Sequence, residues 1–110
     1  MRHDRRTILN DAAAAGEDIM AMVRGMSEVE FISDRRTQRA TERSFEIIGE
    51  ALARLAREFP ECAEAIPDYR RVIDFRNVLA HGYDIVDARL VFALARERLP
   101  DLLKAIQGQM

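Results

Sequence analysis

Residues 34–60 read DRRTQRATERSFEIIGEALARLAREFP, and this stretch decides the fold. Thr37, Ala40, Thr41, Ser44, Ile47, Ile48, Ala51, Leu52, Leu55 and Phe59 recur at three- and four-residue steps, the spacing that lines one face of an α-helix. The positions between them are mostly Arg, Glu and Gln, side chains suited to water. Ser33 or Asp34 can accept the orphan amides of a first helical turn. Pro60 stops the pattern, because the residue before a proline is pushed out of helical space. Gly49 and Ala51 on the inner face would let another helix approach closely.

Upstream, Ile8, Ala12, Ala15, Ile19, Val23 and Met26 predict a first helix from His3 to Arg24, with Gly25 as its stop. Met26 to Phe31 reads as a short link carrying a cap-like Ser27 and two apolar anchors. Downstream, Pro60 to Pro67 reads as a connection with one helical turn at Cys62 to Ala65. A third helix follows, with Tyr69, Val72, Ile73, Arg76, Leu79 and Ala80 on its stripe, ending near His81-Gly82. A fourth opens near Asp87 and turns Val91, Phe92, Ala95, Leu99, Leu102, Leu103 and Ile106 inward. Pro100 should kink it or tighten a turn. Strand-like alternation is absent. The expected architecture is all-α: an antiparallel up-and-down four-helix bundle, with a short extra helix or turn in a connection.

The 110 residues predict a single domain over 1–110, since one core must be shared by nearly the whole chain. At 48% hydrophobic and 33% charged, the composition is that of a globular chain rather than a disordered one. Net charge is −2, so no broad electrostatic grip on nucleic acid is advertised. Sixteen of the seventeen bases are Arg, the side chain best shaped for phosphate. The single Cys62 cannot form an internal disulfide and reads as a buried, neutral thiol. The opening residues lack a signal peptide's apolar core and no run is long enough to cross a bilayer, so a cytoplasmic protein is expected. No cofactor is implied. A metal site at His81, Asp84 and Asp87 fails for want of a further His or Cys.

Arg76 breaks the helical pattern. It sits on the apolar stripe of the third helix, between Ile73 and Leu79. A guanidinium turned into a bundle is costly unless a carboxylate, carbonyls or a ligand phosphate meets it. His81 follows five residues later and Tyr83 two after that. On a regular helix Arg76 and His81 stand about 140° apart and share no face. Gly82 suggests a loosened last turn that swings His81 and Tyr83 back beside Arg76, with the Asn77 amide orienting a neighbour.

Arg, four residues, His, any residue, Tyr is the motif of HepT-like toxins, small helical ribonucleases of the HEPN superfamily, and the chain resembles them beyond that motif. Gly25-Met26-Ser27 with Phe31, Asp34-Arg35 with Thr37-Gln38, and Glu46-Ile47-Ile48-Gly49-Glu50-Ala51 look like family landmarks. Ile66-Pro67 before an aromatic, Phe75-Arg76-Asn77-Val78-Leu79 and His81-Gly82-Tyr83 complete the series in the family's order, over roughly residues 4 to 106. Tyr69 stands where the family often has Trp, and Asp84 where an aromatic often follows the tyrosine.

The resemblance implies a type VII-like toxin: a metal-independent endoribonuclease whose Arg76 and His81 sites meet across a homodimer interface, with Asn77 in support. It also implies a partner, an MntA-like nucleotidyltransferase antitoxin that transfers AMP to Tyr83 and silences the site. Its alternative is a non-catalytic helical binding subunit for such a nucleotidyltransferase. Other readings of single residues stay open: Arg76 in an ion pair with Glu46 or Glu50, His81 at the negative end of a helix dipole, Tyr83 as a rim aromatic. Arg35, Arg36, Arg39 and Arg43 form either a solvated face beside Glu42 and Glu46 or a guide for RNA.

Overall fold

Polar side chains set where the first three helices begin. In this computed structural model, which describes residues 4–81 and 86–110 (Ala80 and His81 as backbone only), α1 spans Arg5–Val23 with the Asp4 carboxylate accepting the Arg6 N–H. Its stop is as expected: Gly25 has φ +75°, the left-handed conformation that glycine adopts without steric cost. Its start is two residues later than expected, and His3 lies outside the described residues.

The link after Gly25 is itself helical. In α2, Glu28–Ile32, the Ser27 hydroxyl accepts the Glu30 N–H while the Glu30 carboxylate accepts the Ser27 N–H, satisfying two orphan donors reciprocally. Those bonds also hold the Glu30 pKa below the usual carboxylate range. Phe31 anchors the segment, fully buried with its ring 5.1 Å from that of Phe92, whereas Val29 faces water.

The long stripe forms α3, Arg35–Glu58, capped by Asp34 as anticipated. Thr41, Ser44, Ile48, Ala51, Leu52 and Leu55 are buried and Thr37, Ile47 and Phe59 half-buried, but Ala40 is exposed. It lies at the edge of the stripe, about 40° from Ser44 and 100° from Thr41 on an ideal helix. α4, Pro60–Glu64, starts on a proline whose missing N–H would be unpaired there in any case. Cys62 is buried, with its thiol 3.7 Å from Gln109 Oε1 and 3.9 Å from an Arg5 guanidinium nitrogen.

Asp68, at φ 61°, turns the chain into α5, Tyr69–His81, its carbonyl accepting the Arg71 and Val72 amides. The last long segment comprises α6, Ala88–Ala93, a π turn, Leu94–Arg98, and α7, Leu99–Gly108. Pro100 does perturb it, but the turn before it widens where a kink or tightening was expected. The Leu99 N–H reaches back five residues to the Leu94 carbonyl. Ala95, Leu99 and Leu103 are all buried at four-residue steps, which a 3.6-residue turn would rotate apart and a wider turn keeps in line.

The described residues contain helices and no strand, an all-α helical bundle. α1 packs along α3 and against α7, and the core lies between them, around Ile8, Ile19, Ile48, Leu52, Leu99 and Ile106. α5 also packs on α3 and stands off from the last segment across an open cleft. Among the described residues no helix is long and apolar enough to cross a membrane.

Candidate functional site

α5 meets α3 at Gly49. A Cβ built there would fall 2.3 Å from Arg76 Cβ, 2.7 Å from Arg76 Cγ and 3.3 Å from the Val72 carbonyl oxygen. The missing side chain is the space that the Arg76 stem fills, which realises the close helix approach that Gly49 suggested. Tyr69, Val72, Ile73 and Arg76 form the α5 face turned to α3, so a guanidinium stands in the seam where an apolar side chain would ordinarily pack.

That guanidinium lacks the ion pair considered from sequence. Among the described residues, Glu46 and Glu50 engage Arg43 at 3.1 and 3.5 Å, and Arg76 forms no salt bridge. Arg76 Nε is buried without a hydrogen-bond partner among the described residues. A buried donor left unsatisfied costs about 1–3 kcal/mol, so native chains keep few of them. The residue as a whole is only half-buried. With Cβ and Cγ against Gly49 and Nε dry, the inner part of the side chain is held between α3 and α5.

The rest of the expected constellation is less gathered. Asn77 is exposed, as is its neighbour Val78. α5 remains helical through His81, so the loosened last turn is not seen, and the Cα positions of Arg76 and His81 stand about 140° apart around the axis. Gly82, Tyr83 and Asp84 lie outside the described residues. Arg35, Arg36, Arg39 and Arg43 are exposed on α3. Arg43 is tied to its two glutamates, and the Arg39 charge opposes the burial that raises the Glu42 pKa. The run is exposed to solvent, with acids beside it.

Beside this seam, the cleft between α5 and the last segment has a volume of about 660 Å³. Phe45, Val72, Phe75, Leu94, Leu99 and Leu102 line it, and Phe75 stands edge-on to Phe45 with ring centroids 5.5 Å apart. Arg71, Arg98, Asp68, Glu97 and Asp101 add charges of both signs to its lining.

A protected cation on an all-helical scaffold suits anion binding, and comparison with known families says which scaffold this is. The model for ribonuclease HepT-like proteins matches residues 13–108. The chain belongs to the HepT-like ribonuclease family. It is 33% identical over 102 residues to a protein of Thermococcus cleftensis named "Probable ribonuclease HepT", covering 93% of this chain and 92% of that one. A protein of Methanocaldococcus jannaschii named as a candidate RNase is 26% identical over 106 residues, covering 96% of each chain. Another so named, from Caldanaerobacter subterraneus, is 33% identical over 91 residues, 83% of this chain and 80% of its own. No solved structure matches the chain significantly.

Sequence reasoning singled out Gly49 and Arg76 separately and did not join them. Both lie on apolar stripes, and a glycine on one with a cation on another is the signal that pairs them. The fully buried Thr41, whose hydroxyl has no partner among the described residues, stands out in the sequence only as part of the inner face.

Proposed function

We propose that this HepT-like protein is a toxin endoribonuclease that cuts RNA without a metal, acting as a homodimer in the cytoplasm. The observation that carries the reading is the Arg76 guanidinium, seated on Gly49 with a dry, unpartnered Nε and no carboxylate beside it among the described residues. A cation left unpaired at such a site is suited to a phosphate that arrives with the substrate.

The chemistry needs little more. A ribose 2′-hydroxyl attacks the adjacent phosphorus, the bond from phosphorus to the 5′-oxygen breaks, and a 2′,3′-cyclic phosphate remains. Neutral His81 of one subunit takes the 2′-hydroxyl proton, and a protonated His81 of the partner subunit gives one to the departing 5′-oxygen. Imidazole, with an unperturbed pKa of about 6.5, suits both roles near neutrality. Arg76 holds the phosphate oxygens and meets the charge that grows on them. One chain supplies one such His, so a pair of subunits supplies both proton carriers. Their separation around α5 fits a site shared between chains better than one closed within a chain. Asn77 orients the imidazole, and Arg35, Arg36, Arg39 and Arg43 steer the strand toward the paired site.

Tyr83 is the control point. AMP placed on its hydroxyl by a cognate nucleotidyltransferase antitoxin adds a bulky anion to the motif, which competes with RNA by volume and by charge.

The test uses full-length protein, expressed without the nucleotidyltransferase and shown by intact mass to carry no adduct. It should cut RNA in EDTA, leaving 2′,3′-cyclic ends, and His81→Ala and Arg76→Ala should lose that activity while keeping their helical spectra. Co-expression with the nucleotidyltransferase should add AMP that maps to Tyr83 and is lost in Tyr83→Phe. Unmodified protein that binds the nucleotidyltransferase but never cuts RNA would instead identify a non-catalytic subunit.

A further inference from the structure

We infer that Gly49 is a positioning residue for Arg76: by lacking a side chain it lets α5 sit close enough to α3 to clamp the Arg76 stem and fix where its guanidinium ends. The inference rests on the ribonuclease reading and adds to it a residue on a different helix that never touches RNA.

The geometry is tight on both sides. A methyl at Gly49 would meet Arg76 Cβ at 2.3 Å, the first atom of that side chain, and the Val72 carbonyl oxygen, which belongs to the backbone of α5, at 3.3 Å. Neither is the free end of a flexible side chain. Ordinary contact begins near 3.4 Å, so α5 would have to retreat from α3 by roughly 1 Å. The seam also holds Nε dry. Rotation about the inner bonds of the side chain is thereby restricted, and the guanidinium presents its outer edge, through the two terminal nitrogens, rather than the edge that includes Nε. A phosphate held by that outer edge is aligned by the helix-to-helix distance, and glycine sets that distance.

A shift of about 1 Å in a group that stabilises a transition state commonly costs about 100-fold in rate. Gly49→Ala should therefore lower the kcat for RNA cleavage by about that factor, with KM changed little because strand binding is spread over other residues. Ile106→Val serves as the control: it trims the core beside α1 and α7, away from α5, so it should lower thermal stability with kcat unchanged. Gly49→Ala that remains folded and dimeric but keeps the wild-type kcat overturns the inference.

A second measurement reads the clamp without reference to RNA. Gly49→Ala should be destabilising beside Arg76 and much less so beside Arg76→Gly, which removes the Cβ and Cγ that the new methyl strikes. Urea unfolding of the four proteins measures that coupling. If Gly49→Ala alone does not fold, recovery of folding in the Arg76→Gly background supports the clamp, and purely additive effects overturn it. Wild-type protein that fails to cut RNA overturns the ribonuclease reading, and catalytic positioning with it, whereas the unfolding cycle decides the clamp separately.

Discussion

Arg76→Lys separates what the residue does for catalysis from what it costs the fold. Along the two side chains, lysine Cε takes the place of arginine Nε, and the ammonium falls at the position of Cζ. The dry slot that holds an unsatisfied N–H would then hold a methylene, which needs no partner. Removing a buried unsatisfied donor returns about 1–3 kcal/mol. Against this, the ammonium sits one bond deeper than the terminal nitrogens it replaces and loses some hydration in a half-buried position. The expected balance is a variant about 1 kcal/mol more stable than wild type, a rise in melting temperature of about 4 °C for a domain of this size. Activity should move the other way. An ammonium is a point charge without the planar fork, and losing a preorganised donor to a developing oxyanion costs about 100- to 1000-fold. Urea and thermal unfolding at matched protein concentration, beside RNA cleavage rates, read both effects. A lysine variant destabilised by 1 kcal/mol or more would refute the reasoning, because it would mean that Nε has a partner whose loss is felt.

Further predictions concern the scaffold. Thr41→Val should stabilise the protein by about 1 kcal/mol in urea unfolding, because the fully buried hydroxyl it removes has no partner. Asp34 is held below the ordinary carboxylate pKa by the Thr37 hydroxyl and then the Thr37 N–H, so its contribution is complete above about pH 4 and is lost as the pH falls through the lower folded value. Asp34→Asn should accordingly flatten the stability-against-pH curve on the acid side, measured by urea midpoints at a series of pH values. Phe31→Ala empties a fully buried site against Phe92 and should cost about 3–5 kcal/mol, enough to lower the thermal midpoint sharply. Asp68, at φ 61°, should tolerate Gly within about 0.5 kcal/mol, whereas Ala there should cost about 1 kcal/mol by chemical denaturation.

Much of this fold was legible because its signals are local. The inner face of α3, the Asp34 cap and the Gly25 stop each depend on residues within a turn or two. α2 reads as a link in the sequence because five residues are too short to show a period, although Ser27 and Glu30 spell a capping box. At Pro100 the missing N–H was plain, but whether the turn would tighten or widen was decided by distant packing that keeps Ala95, Leu99 and Leu103 on one side. Arg76 is conspicuous as a cation on an apolar stripe, yet nothing in the stripe shows that, among the described residues, Glu46 and Glu50 engage Arg43 instead. The bend expected at His81 rests on a glycine following it, and glycine in general permits an early stop without requiring one.

The one-sided seating of α5 bears on how the protein breathes. α3 is packed by both α1 and α5, whereas among the described elements α5 packs chiefly on α3 and borders the cleft. Helices held along a single seam open at lower free energy than those locked in the middle of a core. In hydrogen exchange the amides of α5 should therefore lose protection ahead of those of α3, by an opening that leaves the α1–α3 pair intact. Any molecule that covers the cleft would slow exchange in α5 more than elsewhere, making the helix that carries Arg76 a reporter of its own occupancy.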